Sequence, residues 1–212
     1  FNNLADKLHP IPYYGTLYKP ENSTDGLIQN ELSMNVIDII NSGVSLINYI
    51  GHGSPTTLSD EKIIDMDRDL NRICPPNSSC AKELKLPIWV VGTCSFGAYD
   101  DTQTMSEELQ KHNAAAIAII TTTNNIGANT NYNFLNRLFN NVSNYVVNEN
   151  SNFRLGDLLK ESKTGSGSEY LFHLFGDPAT PLPFPKLNSN LINSESIPEN
   201  VTVLDNEDIE LN

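Results

Sequence analysis

Basic residues are scarce in this chain. Its 212 residues hold 13 Lys and Arg against 26 Asp and Glu, a net charge of −13. A surface this acidic repels phosphate, which makes nucleic acid and anionic membrane surfaces poor partners. Long hydrophobic runs are lacking too. The longest clearly apolar stretch, Ala114 to Ile120, is far short of the roughly 20 residues a membrane span requires. Neither an initiating Met nor a charged-then-apolar leader precedes Phe1, so the chain reads as a piece of a longer precursor. No internal repeat is visible. No Gly-x-Ser-x-Gly elbow occurs, which argues against a serine hydrolase. Cysteine is limited to Cys74, Cys80 and Cys94.

Apolar periodicity organises what is there. The first 25 residues carry turn chemistry and read as an irregular lead-in. Ile28, Leu32, Val36, Ile39 and Ile40 mark one helical face, stopped by Gly43. Val44 to Ile50 is β-rich and nearly continuous in apolar character, as a buried parallel strand should be. Ile63, Met66, Leu70 and Ile73 predict a second helix. Leu86 to Gly92 and Ala115 to Thr121 are two further buried strands, with a short helix around Met105–Lys111 between them. Leu135, Leu138, Phe139, Val142 and Val146 mark a longer helix, and Leu155, Leu158 and Leu159 another. This alternation predicts an α/β fold with a mostly parallel sheet covered on both faces. The Pro run at 178–185 closes the domain, 1–185. Residues 186–212, with one base and six acids, read as an acidic linker or the start of a following domain.

Two strand ends carry the chemistry. His52 and Cys94 each lie just past the carboxyl end of a predicted strand, in Gly51-His52-Gly53 and Thr93-Cys94-Ser95-Phe96-Gly97. Ligands of open parallel sheets bind there. A thiol and an imidazole on neighbouring strand ends make a nucleophile and a base. Neighbouring glycines let backbone N–H groups face a developing oxyanion. The plainer readings are a buried structural thiol and a hydrogen-bonding surface histidine. His9 and His112 read as structural, and His173, before the turn-rich Leu174-Phe175-Gly176-Asp177-Pro178, is a third candidate.

Leu46-Ile47-Asn48-Tyr49-Ile50-Gly51-His52-Gly53-Ser54 resembles the histidine motif of gingipain-like cysteine peptidases. Gly92 to Asp101 resembles their cysteine motif, most nearly in the type IX secretion sortase (PorU-like) branch. Ala116 to Thr123 and Leu174 to Ala179 match in the same order, so the resemblance spans roughly residues 4 to 185. It implies a caspase-like three-layer α/β/α sandwich. Cys94 would be the nucleophile, His52 the general base and acid, and the N–H groups of Gly53 and Cys94 the oxyanion hole. Peptide bonds would be cleaved through a thioester, which an amine can capture in the sortase branch. The expected setting is secreted, in the periplasm or at the bacterial cell surface. Expected partners are a protein or peptide substrate and other secretion-system components. Thr102 and Ala114-Ala115 depart from the family pattern. The unit also lacks most of its N-terminal half, which supplies the acidic partner of the histidine; Glu21 and Asp25 are the nearest upstream acids and match no motif. A non-catalytic secretion or adhesion module with the same fold is the rival expectation.

Ser95, Thr122 and Asn124 are the substrate-binding candidates, because the polar loop 121–131 should border the cleft. That loop carries no charge, which argues against a preference for Arg or Lys from this side. Cys74 and Cys80 flank a short Pro-containing loop and read as a disulfide, leaving Cys94 as the free thiol; two reduced thiols are the alternative. Asp60, Glu61, Asp65, Asp67 and Asp69 read as a solvated acidic helix face, with a structural calcium ion as the alternative. No catalytic metal or cofactor is expected. Asp100 and Asp101, with Thr102 or Thr104, could cap the next helix or shape a subsite.

Overall fold

The computed structural model describes residues 27–100, 103–111, 115–147, 153–165, 167–182, 201–203 and 209–211. The lead-in with His9, Glu21 and Asp25 lies outside them, as do Asp101, Thr102, His112, Ala114 and the proposed boundary near residue 185.

The helix α1 (Leu27–Ser42) ends where the Gly43 N–H closes onto the Ile40 carbonyl at 3.0 Å. The strands β1 (Leu46–Ile50), β4 (Ile88–Gly92), β5 (Ala118–Thr122) and β6 (Phe172–Phe175) form one sheet in the order β1-β4-β5-β6. The first three run parallel and β6 runs antiparallel to β5. Alternation along β4 and β5 builds a core on each face. Ile88, Val90, Ala118 and Ile120 pack with Leu135, Leu138 and Val142 of α5 (Ala128–Val147) and Leu155 and Leu158 of α6 (Leu155–Ser162). Trp89, Val91 and Ile119 pack with Ile37 and Ile40 of α1 and Met105 and Leu109 of α4 (Met105–Lys111). The result is a three-layer α/β/α sandwich. Thr104 and Glu107 form a reciprocal cap at the start of α4, each side chain accepting the other's backbone N–H. The strands β7 (Val201–Val203) and β8 (Ile209–Leu211) pair with each other.

Several expectations are corrected. The strand β1 is not fully buried: among the described residues it lies at a sheet edge, with Leu46 to Tyr49 half-buried and Ile50 exposed. The stripe from Ile63 to Ile73 is not one helix. Ile64 and Asp65 are extended, Asp65 at φ −128° and ψ 130°, which breaks any continuous helix. Instead β2 (Thr57–Leu58) pairs with β3 (Ile64–Asp65), followed by the single turn α2 (Met66–Asp69) and a 3₁₀ turn at Leu70–Arg72. The segment around His173 is a strand, not a turn. The expected pairing of Cys74 with Cys80 is present: the two are joined, with Cα atoms 5.4 Å apart, and Cys80 lies in α3 (Ser79–Lys82).

Nor is the acidic segment simply a solvated face. Asp65 caps α2 by accepting from the N–H groups of Asp67 and Arg68. The Asp69 carboxylate is fully buried. It accepts from Arg68 at 2.6 and 2.8 Å, Arg72 at 2.9 Å, the Asp65 N–H at 3.0 Å and the Ser33 hydroxyl at 3.3 Å. Burial pushes its pKa up, but the Arg68 and Asp65 hydrogen bonds and the two guanidinium charges outweigh that and hold it below the ordinary carboxylate range. Because the folded value is depressed, the stabilisation is present above about pH 4 and is lost as pH falls through the folded value. Asp69→Asn is expected to cost about 3 kcal/mol, the low end for breaking a buried pair, since both arginines are about one-third exposed. It should also flatten the acid limb of stability below about pH 4. Urea unfolding of both proteins across that range checks this.

Candidate active site at two strand ends

The pairing of β1 with β4 sets the site. Ile50 is in register with Gly92, and the Gly51 N–H donates to the Gly92 carbonyl at 3.3 Å. His52 and Cys94 therefore occupy equivalent positions, each two residues beyond the last paired residue, on strands about 4.8 Å apart. The two loops touch. A Cβ on Gly53 would lie 2.5 Å from Thr93 Oγ1 and 3.1 Å from the Thr57 carbonyl, so only glycine lets the loops approach this closely.

The His52 loop is held by its own backbone. Its carbonyl accepts from the Ser59 N–H at 2.8 Å and the Tyr49 hydroxyl at 2.6 Å. Ser54 Oγ accepts from the N–H groups of Thr56 and Thr57. The Pro55 carbonyl accepts from the Met105 N–H at 2.7 Å, tying the loop to α4. Gly53 bridges Leu58 through bonds made by the flanking residues, Ser54 N–H to Thr57 O and Ser59 N–H to His52 O. In such a pair the N–H of Gly53 itself turns away from Leu58. His52 is exposed.

The Cys94 loop is a tight turn. Cys94 is partly exposed, and its thiol reaches the Ile126 carbonyl at 3.8 Å. Ser95 follows at φ 55°, a left-handed conformation that costs energy for a non-glycine residue and is found where the surrounding structure enforces it. The enforcing contacts come from the end of β5. The Ser95 N–H donates to the Asn124 carbonyl at 3.3 Å and the Gly97 N–H to the Thr122 carbonyl at 2.9 Å. Ser95 Oγ also donates to Asn125 Oδ1 at 3.2 Å.

Among the substrate-binding candidates, Ser95 and the exposed Asn124 border the Cys94 turn. Thr122 does not: it is fully buried, and its hydroxyl donates to the Thr93 carbonyl. It braces the backbone beside Cys94 and cannot touch a substrate. The polar loop is also shorter than expected, because α5 starts at Ala128. His173 pairs with Thr121 in β6, and its ring lies 5.9 Å from that of Tyr99. It lines a cavity of about 330 Å³ with Lys163, Leu159 and Phe172, whose lining includes neither His52 nor Cys94. Burial, then the charge of Lys163, push its pKa down. Tyr49 and Thr93 escape a reading of the sequence: their roles depend on where two loops cross. Among the described residues no cluster of three or more His, Cys, Asp or Glu is placed to hold a metal ion, and no helix is long and apolar enough to cross a membrane.

The model of peptidase family C25 matches residues 2–183. Among solved structures the chain is similar to the crystal structure of the Arg-specific cysteine proteinase gingipain R (RgpB), with TM-score 0.57 and 21% identity over 71% of this chain and 36% of that chain. It is similar to the complex of Porphyromonas gingivalis RgpB pro- and mature domains, with TM-score 0.56 and 20% identity over 71% and 37%. A third likeness, described only as the structure of a protease, has TM-score 0.52 and 16% identity over 68% and 36%. The chain thus spans little more than a third of the structures it matches, and at these identities the likeness is one of fold. No curated protein sequence matches it significantly.

The Gly53–Thr93 contact yields a test of the interlock. Gly53→Ala is expected to destabilise the protein by about 1–3 kcal/mol through overpacking. Removing the opposing side chain in Gly53→Ala/Thr93→Ala should recover part of that loss, a non-additive cycle. Thermal unfolding of the two single variants and the double variant measures it; strict additivity would show that the loops do not meet at this point.

Proposed function

Because the chain belongs to peptidase family C25, we propose that it carries the nucleophile-bearing part of a cysteine peptidase, with Cys94 as nucleophile and His52 as general base and acid. The single observation that carries this reading is the register of β1 with β4, which puts a free, partly exposed thiol and an exposed imidazole on equivalent ends of adjacent strands.

The steps follow from the groups present. His52 takes the proton of the Cys94 thiol, and the sulfur attacks the carbonyl carbon of the scissile peptide bond. The oxyanion that forms is held by the N–H groups of Gly53 and Cys94; the outward turn of the Gly53 N–H supports that role. His52 then gives its proton to the departing amine, leaving a thioester on Cys94. Water, deprotonated by His52, attacks the thioester and restores the thiol. The resemblance of the two motifs to the sortase branch supports an amine as a second acceptor for the same thioester, giving a new amide instead of an acid. Ser95 and Asn124 flank the turn and are the proposed substrate contacts. The setting is proposed to be outside the cytoplasm, in the periplasm or on the cell surface. The Cys74–Cys80 pair fits an oxidising compartment. Proposed partners are a protein or peptide substrate and secretion components.

A thiol-reactive peptide probe applied to the full-length protein tests the assignment. Wild type should label at Cys94 and cleave peptides from a fluorogenic library. Cys94→Ala should lose both, and His52→Ala should lower cleavage by roughly 10²- to 10⁴-fold, the usual contribution of a positioned base. Equal labelling and cleavage by wild type and Cys94→Ala would sink the proposal, and a wild type that neither labels nor cleaves would favour a non-catalytic module. Added glycinamide, with products read by mass spectrometry, separates transfer from hydrolysis.

A further inference from the structure

We infer that Tyr49 is a positioning residue for His52: its hydroxyl holds the His52 backbone carbonyl and so fixes the direction in which the imidazole leaves the end of β1. This rests on the reading of His52 as the base of the Cys94 pair.

Packing alone does not explain the hydroxyl. The Tyr49 ring lies against the core on the α1 and α4 face of the sheet, where a phenylalanine would serve equally. The hydroxyl instead turns back over the chain and donates to the His52 carbonyl at 2.6 Å. That carbonyl also accepts from the Ser59 N–H at 2.8 Å. A carbonyl oxygen has two lone pairs, so its accepting capacity is filled and the peptide plane after His52 is held from two directions. Burial, reinforced by the charges of Glu61 and Asp60 and only partly opposed by the nearness of the Ser59 backbone N–H to the hydroxyl, pushes the Tyr49 pKa up to about 12. The group therefore stays protonated, and able to donate, throughout any working range.

Gly51 is the second half of the device. A Cβ there would lie 2.6 Å from Tyr49 Oη and 3.0 Å from Tyr49 Cζ. Gly51 does not lie in the left-handed region, so its backbone would accept any residue. Glycine is required for space, and the space is that of the tyrosine hydroxyl. Tyr49, Gly51 and His52 thus form one local unit, in which the absent side chain at 51 lets the side chain at 49 reach the backbone at 52. An imidazole mounted on a rigid peptide needs no reorganisation as the proton moves, so the unit acts on the chemical step rather than on substrate binding.

The test uses full-length wild type, Tyr49→Phe, Gly51→Ala and the double variant, with Cys94→Ala and His52→Ala as controls. Turnover is measured on the best-cleaved fluorogenic library peptide and normalised to active sites titrated with the thiol-reactive peptide probe. Tyr49→Phe and Gly51→Ala are each expected to lower kcat per titrated site roughly ten-fold, a part of what a positioned base contributes. KM should stay within about two-fold. The double variant should be no slower than the slower single variant, because both remove the same bond. Unchanged kcat per titrated site in Tyr49→Phe would overturn the inference, and so would a loss confined to KM. If Tyr49→Phe fails to fold, Gly51→Ala decides by the same criteria. Turnover that survives in Cys94→Ala, or that is undiminished in His52→Ala, overturns the parent reading instead.

Discussion

Everything at the site depends on how β1 pairs with β4. The register is a backbone matter, fixed by parallel hydrogen bonds and by which faces are apolar. A slip of one residue would turn Ile47 and Tyr49 out of one core and place His52 out of step with Cys94. The strand β4 is the fixed partner: all five of its residues are buried, and it lies between β1 and β5 with a core on each face. From that strand the Cys94 turn inherits its position, and Thr122 and Asn124 at the end of β5 keep it folded. The His52 loop, on the less buried strand, is held more by hydrogen bonds than by packing.

What was legible in the sequence tracks how local the cause is. The helices α1, α4, α5 and α6 and the three parallel strands follow from apolar spacing that every residue in the segment shares. So do the positions of His52 and Cys94, because each strand ends abruptly in a glycine-flanked turn. The strand β6 was missed because four residues are too few for alternation to show, and Gly176, Asp177 and Pro178 beside it are strong turn signals. The broken stripe from Ile63 to Ile73 has the spacing of a helix, but Ile64 and Asp65 are drawn into a strand by pairing with Leu58 and Thr57, a contact that spacing does not show. Thr122 looked like a loop residue because polar residues follow it; whether a threonine at a strand end faces solvent or braces a neighbouring carbonyl is decided in three dimensions. Asp69 is the same case: nothing distinguishes it from Asp67 along the chain, yet one is buried among arginines and the other is exposed.

The shortage of basic residues takes on a structural meaning here. Arg68 and Arg72 are committed to the Asp69 carboxylate, and Arg137 to the buried Glu169, which also accepts from the Thr164 N–H and hydroxyl. In these networks the guanidinium forks neutralise buried carboxylates near the ends of elements and cross-link α2 to α1, and α5 to the segment before β6. The outward-facing charge is accordingly dominated by acids. A strongly anionic exterior sets which proteins approach readily and which are turned away, at long range and in a salt-dependent manner. It does not by itself assign a residue to any subsite.

The connection between the two strand ends carries a last consequence. It runs out through β2, β3, α2 and the stapled turn at Cys74 and Cys80 before returning along β4. Both of its ends are anchored by the sheet, so its length has little leverage on where His52 and Cys94 stand. The entropic cost of lengthening such a loop grows only logarithmically. Chain separation between the two motifs is therefore free to drift among relatives, while their separation in space is not. The fold itself asks only for a strand, a glycine and the reactive residue at each end, and places no demand on the gap between them.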